Sequence, residues 1–115
     1  LNYAEAAAET GTNTSDALNR LNRLWRVRHL NVPSDTMRYN NLTVDIVLEE
    51  RRKELAGAGH RYFDLARQER DIPANVSQRE QVVSYGSNDL AFPIPEDELD
   101  ANANITNQNP GYSGR

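Results

Sequence analysis

The chain has 115 residues, a net charge of -4 and no cysteine. That length suits one small domain, and the missing cysteine excludes disulfide frameworks, thiolate metal sites and thiol nucleophiles. The acidic balance argues against a nucleic-acid footprint, because phosphate binding favours a basic domain. The hydrophobic share, 37%, falls below the about 45–50% usual for globular chains, so the core is expected to be thin. Twelve of the 13 basic residues are Arg and only Lys53 is Lys. Arg suits planar, bidentate pairing with carboxylates, so this set predicts internal ion-pair networks.

The first stretch, "LNYAEAAAET", has high helix propensity. It starts as a helix already under way, so the chain reads as a fragment of a longer protein. Whatever the upstream part specifies, an export signal or lipid anchor included, lies outside this sequence. Gly11 is placed to end this helix, and Ser15 or Asp16 to cap the next. In "ALNRLNRLWRVRHL", Leu18, Leu21, Leu24, Trp25 and Arg28 recur at three- and four-residue steps, which predicts an amphipathic helix. Arg20, Arg23 and Arg26 fall on its other side. The two helices make an antiparallel hairpin.

Pro33 bars the second helix from continuing through "NVPSDTMRYNN". A long helix is expected from roughly Leu42 to Arg67, with a stripe of Val44, Leu48, Arg51, Leu55, Ala58, Tyr62 and Leu65 or Ala66. Gly57 and Gly59 fall inside it, each costing about 1 kcal/mol against Ala; a glycine pair here signals a bend or a close approach. Arg51 sits in the apolar stripe, where a desolvated guanidinium needs carboxylate partners. Beyond Asp71, "NVSQREQVVSYGSND" suits a short helix or a strand. The remainder reads as irregular, except for a short helix from about Pro95 to Asp100. No apolar run approaches the ~20 residues that span a bilayer.

Three stretches together resemble the carboxyl end of the SusD/RagB family of outer-membrane nutrient-binding lipoproteins of Bacteroidetes. "LNYAEAAAETG" with "ALNRLNRLWRVR" is similar to the family's last helical-repeat pair. "IVLEERRKELAGAGHRYFDLAR" is similar to its Ile-x-x-Glu-Arg-Arg-x-Glu-Leu...Glu-Gly-x-Arg-x-x-Asp-Leu-x-Arg signature, on which fall Glu50, Arg51, Glu54, Arg61, Asp64 and Arg67. "AFPIPEDEL" with "NQNPGY" is similar to its ending. Ala58 departs from the pattern, standing where the family usually has Glu.

The resemblance implies an all-α fold: a tetratricopeptide-like helical hairpin plus the long helix (residues 1–70), with an irregular C-terminal wrap (71–115). It implies non-catalytic binding of glycans, or peptides, at the cell surface, without cofactor or metal, and hand-off to a SusC-like TonB-dependent transporter. The location implied is the outer membrane, with anchoring by an N-terminal lipid outside this segment. Partners are the transporter, an oligosaccharide and the upstream part of the same chain, not nucleic acid. The segment itself is expected to be mainly scaffold, with Arg51, Arg61 and Arg67 meeting Glu50, Glu54, Asp64 and the tail backbone.

Other readings set the same residues in different roles. Glu49, Glu50, Glu54 and Asp64 would be acid/base groups in a glycosidase, but one helix does not define their separation, and Arg51 and Arg61 stand at ion-pairing reach. His60 and Asp64 have metal-ligand spacing but no third ligand. Trp25 and Tyr39 are the residues to test for sugar contact, since a π-face suits the apolar face of a sugar ring; Trp25 is also in register with the core. Tyr112 reads as a pin for the tail. The four Asn-x-Ser/Thr sequences, at Asn13, Asn41, Asn75 and Asn104, suit chance matches in an Asn-rich chain. A helical-repeat protein adaptor and a glycan-processing enzyme are the alternative functions.

Overall fold

The computed structural model describes residues 1–74 and 81–112. Their fold is all-α, and among them no helix is long and apolar enough to cross a membrane. The chain divides into two compact units, Leu1–Arg61 and Tyr62–Arg115.

In the first unit, α1 (Asn2–Thr10) ends as its sequence predicts. Gly11 takes the left-handed conformation (φ 68°) and its N–H returns to the Ala7 carbonyl at 3.0 Å. The next helix, α2 (Thr14–Arg28), starts earlier than expected. Its N-cap is Asn13, also left-handed, rather than Ser15 or Asp16. The Asp16 carboxylate is engaged elsewhere, accepting from Tyr3 Oη at 2.9 Å and Arg20 Nε at 2.8 Å. Helix α3 (Val44–Glu54) is capped by Thr43, whose Oγ1 accepts from the Ile46 N–H at 3.2 Å.

Helix α1 packs against both α2 and α3. Ala4, Ala7, Ala17, Leu21 and Val47 are buried there, with Leu1, Tyr39, Leu42 and Ile46 against them. Three of the five buried residues are alanines, so this core rests on close backbone approach more than on large side chains.

The expected continuous helix over 42–67 is two helices. Helix α3 stops at Glu54 and α4 (His60–Arg67) starts six residues on. Between them Gly57 and Gly59 hold φ of 77° and 75°, which a right-handed helix cannot include. The expected stripe ends with α3: Ala58 is exposed in the turn, and the fully buried residue of α3 is Val47.

The second unit buries Leu65, Ile72 and Val83, with Tyr62 and Leu90 against them. Ile72 and Val83 exchange two backbone hydrogen bonds, at 2.8 and 2.9 Å, in an isolated antiparallel bridge. Of the stretch expected to be helix or strand, residues 75–80 lie outside the described residues. A 3-10 turn (Asn88–Leu90) and α5 (Glu96–Ala101) follow, the latter close to its expected bounds.

The irregular tail is held by its own amides. The Gln108 side chain accepts from the Ile94 N–H at 2.6 Å and donates to the Ile94 carbonyl at 2.8 Å, as a neighbouring strand would. Asn109 Nδ2 donates to the Phe92 carbonyl at 2.6 Å, and Tyr112 Oη to the Ala91 carbonyl at 2.7 Å. At Gly111 (φ 90°) a Cβ would come within 2.6 Å of Asn88 Cβ, so "NPGY" needs its glycine. Tyr112 thus ties the end of the tail back to Ala91 within the tail itself.

Candidate functional site

Helix α3 carries charge on every side because nearly every charge has a fixed partner. Arg51 is buried and reaches α1, donating from Nη1 to Asn2 Oδ1 at 2.6 Å, with its Nε 3.8 Å from Glu5 Oε2. Glu50, 3% exposed, accepts from Tyr39 Oη at 2.5 Å and from Lys53 Nζ at 2.8 Å. Glu54 takes a two-pronged contact from Arg28 on α2, Nε at 3.0 Å and Nη2 at 2.8 Å. Glu49 pairs with Arg52 in the same way, at 2.8 and 2.6 Å.

These partners differ from the expected set. Arg51 pairs with Glu5 of α1 rather than with Glu50 or Glu54 on its own helix. Those neighbours are engaged by other groups: Glu50 accepts from Tyr39 and Lys53, and Glu54 from Arg28. Arg61 donates to the Leu48 carbonyl at 3.4 Å, and its buried Nε has no partner among the described residues. In the second unit, Arg67 does meet Asp64, Nη2 to Oδ1 at 2.7 Å.

The pairing moves the acid–base equilibria. Hydrogen bonding from Arg52 holds the Glu49 carboxyl below its ordinary range. The Glu50 carboxylate raises the Lys53 ammonium. Burial, followed by the Glu50 hydrogen bond, raises the Tyr39 phenol.

Between α2, the loop after it and α3 lies an open cleft of about 420 Å³. Trp25, Arg28, His29, Arg38, Glu50, Lys53 and Glu54 line it. The Trp25 and His29 rings are stacked, 4.3 Å between centroids and 29° between planes. A four-residue helical step sets that spacing, and His29 Nδ1 lies 2.7 Å from the Trp25 carbonyl oxygen.

The cleft's loop is anchored by one residue that the sequence did not single out. Asn22 is fully buried, and its amide uses all four of its hydrogen-bonding positions. Its Nδ2 donates to the Leu18 and Tyr39 carbonyls, each at 3.0 Å. Its Oδ1 accepts from the Arg38 N–H at 2.8 Å and the Tyr39 N–H at 2.9 Å. An Asn in a run of Asn and Arg carries no signal of burial; its place four residues behind Leu18 on the apolar face was the available clue.

Of the two residues put forward for sugar contact, Trp25 lines the cleft and is half-buried. Tyr39 packs on the first unit's core and holds Glu50 from behind, so it supports the cleft without lining it. His60 is exposed while Asp64 is buried with Arg67, and no cluster of three metal-ligating residues exists among the described residues.

The helices, the paired charges and the tail staple define an all-α, tetratricopeptide-like segment with an irregular C-terminal part. Comparison with known proteins places it further. The SusD family profile matches residues 1–112. A crystal structure of a SusD superfamily protein from Bacteroides vulgatus ATCC 8482 superposes with a TM-score of 0.74 at 30% identity, covering 96% of this chain and 25% of that one. No curated protein matches the chain. The chain belongs to the SusD family, and spans about a quarter of the length of that solved relative.

Proposed function

We propose that the chain serves non-catalytic nutrient binding at the bacterial cell surface, as part of an outer-membrane lipoprotein that captures glycans and passes them to a SusC-like TonB-dependent transporter. Most of the segment is scaffold, and its Trp25 cleft is the place for ligand contact. Membership of the SusD family carries this reading. The carboxylates support it: Glu50 and Glu54, which a glycosidase would use, are each held by cations or a hydroxyl. A general acid needs a carboxyl pushed towards neutrality by burial or a like charge, and Glu49 is moved the other way.

The test is affinity purification of the tagged protein from solubilised outer membranes of its own cells, alongside titration with a pool of oligosaccharides. The reading predicts a TonB-dependent transporter in the eluate and saturable sugar binding without release of reducing ends. Recovery in the cytoplasmic fraction without a transporter contradicts it, as does steady hydrolysis of the sugar.

A further inference from the structure

The cleft beside Trp25 has one cation more than its own carboxylates can pair. Arg28, Arg38 and Lys53 line it against Glu50 and Glu54, three positive charges against two negative. Arg28 is committed to Glu54, and Lys53 to Glu50. Arg38 makes no side-chain hydrogen bond or ion pair among the described residues. Its backbone N–H is nevertheless fixed on Asn22 at 2.8 Å, so the loop bearing it is held in place.

We infer that this cleft takes an acidic sugar, a hexuronic acid unit of an oligosaccharide, with its ring against the stacked Trp25–His29 pair and its carboxylate on Arg38. The inference rests on the glycan-binding reading and narrows it to a ligand class. The apolar face of a pyranose ring packs well on an aromatic surface. A carboxylate matches the planar fork of a guanidinium with two parallel hydrogen bonds. The Glu54 carboxylate on the cleft wall, its side chain 16% exposed, is an acceptor for the ring hydroxyls. A neutral sugar would keep the ring packing and the hydroxyl bonds but leave the spare guanidinium to water.

The experiment is calorimetric titration of the whole chain with a short galacturonic acid oligomer and with the same oligomer methyl-esterified. The ester keeps the ring and removes the charge. A hydrogen bond between charged groups implies a preference for the acid of about tenfold or more. Arg38→Ala should bring acid and ester to equal affinity, Arg38→Lys should keep part of the preference, and Trp25→Ala should weaken both ligands. Arg38 is exposed, so its variants should fold, and far-ultraviolet circular dichroism checks that they do.

Equal binding of acid and ester by the unaltered chain overturns the acidic-sugar inference and leaves glycan binding intact. A preference that survives Arg38→Ala overturns the assignment to this cleft. Binding of neither ligand also overturns the inference; the broader reading then stands or falls on the transporter purification and the neutral sugar pool.

Discussion

Arg51 on α3 and Glu5 on α1 form a buried ion pair across the helices, their side chains 10% and 8% exposed. The two positions are 46 residues apart in sequence, and Asn2 completes the contact from the first turn of α1. The signature arginine thus ties α3 to the helix that opens the chain. Removing one partner of a buried pair leaves the other charge desolvated and uncompensated. Arg51→Ala should therefore destabilise the chain by about 3–5 kcal/mol, read as a lower urea midpoint. An unchanged midpoint would refute the buried pair.

Asn22 gives a second stability test, one that reaches the cleft. Asn22→Ala strands groups that its amide now satisfies, at roughly 1–3 kcal/mol for each buried group left without a partner. The expected loss is at least ~2 kcal/mol. The amide protons of Arg38 and Tyr39, which now bond to Oδ1, should lose their protection from hydrogen exchange.

The turn between α3 and α4 separates two accounts by sign. In a continuous helix, Gly59→Ala would stabilise by about 1 kcal/mol. Here Gly59 has φ of 75°, and a Cβ added to it would meet no atom within 4 Å, so backbone strain alone decides. A left-handed alanine costs roughly 1–2 kcal/mol, and Gly59→Ala should destabilise. Urea denaturation of this variant reads the sign directly.

The Tyr39–Glu50–Lys53 cluster predicts an alkaline weakness. Tyr39 and Lys53 both titrate above their ordinary values of 10.0 and 10.5 in the folded chain. A raised folded pKa means that the contribution is complete below the unfolded value and is lost as pH climbs through the folded one. Stability should therefore fall upward from about pH 10. Tyr39→Phe should make that fall shallower, measured as the urea midpoint against pH. An unchanged slope would remove Tyr39 from the cluster.

Much of the architecture is legible in the residues. The Gly11 stop, the hairpin and the short helix after Pro95 each depend on local chemistry, and local chemistry is written in sequence. The all-α fold and the family followed from three motifs in order. The break at Gly57 and Gly59 was marked, but the signal for a bend in a helix and the signal for its end are the same two glycines. The partner of Arg51 was out of reach. Periodicity says that Arg51 faces inward, and it cannot say which distant carboxylate meets it. Asn22 was hidden for a similar reason, since its burial depends on a loop that folds back from 16 and 17 positions away. Trp25 was singled out from its chemistry, and the cleft around it needed the fold.

Two sets of residues on and around these helices are separate: Glu5 and Arg51 hold α1 to α3, while Trp25, Arg28, Arg38 and Lys53 line the cleft proposed for ligand. A two-dimensional amide and indole NMR titration of the isotopically labelled chain with the oligosaccharide pool tests that division most directly. The division predicts a dispersed spectrum in which sugar moves the Trp25 indole and the signals of Arg28, Arg38 and Lys53, and leaves those of Glu5 and Arg51 in place. Shifts centred on Glu5 and Arg51, or a spectrum that ignores every sugar, would contradict it.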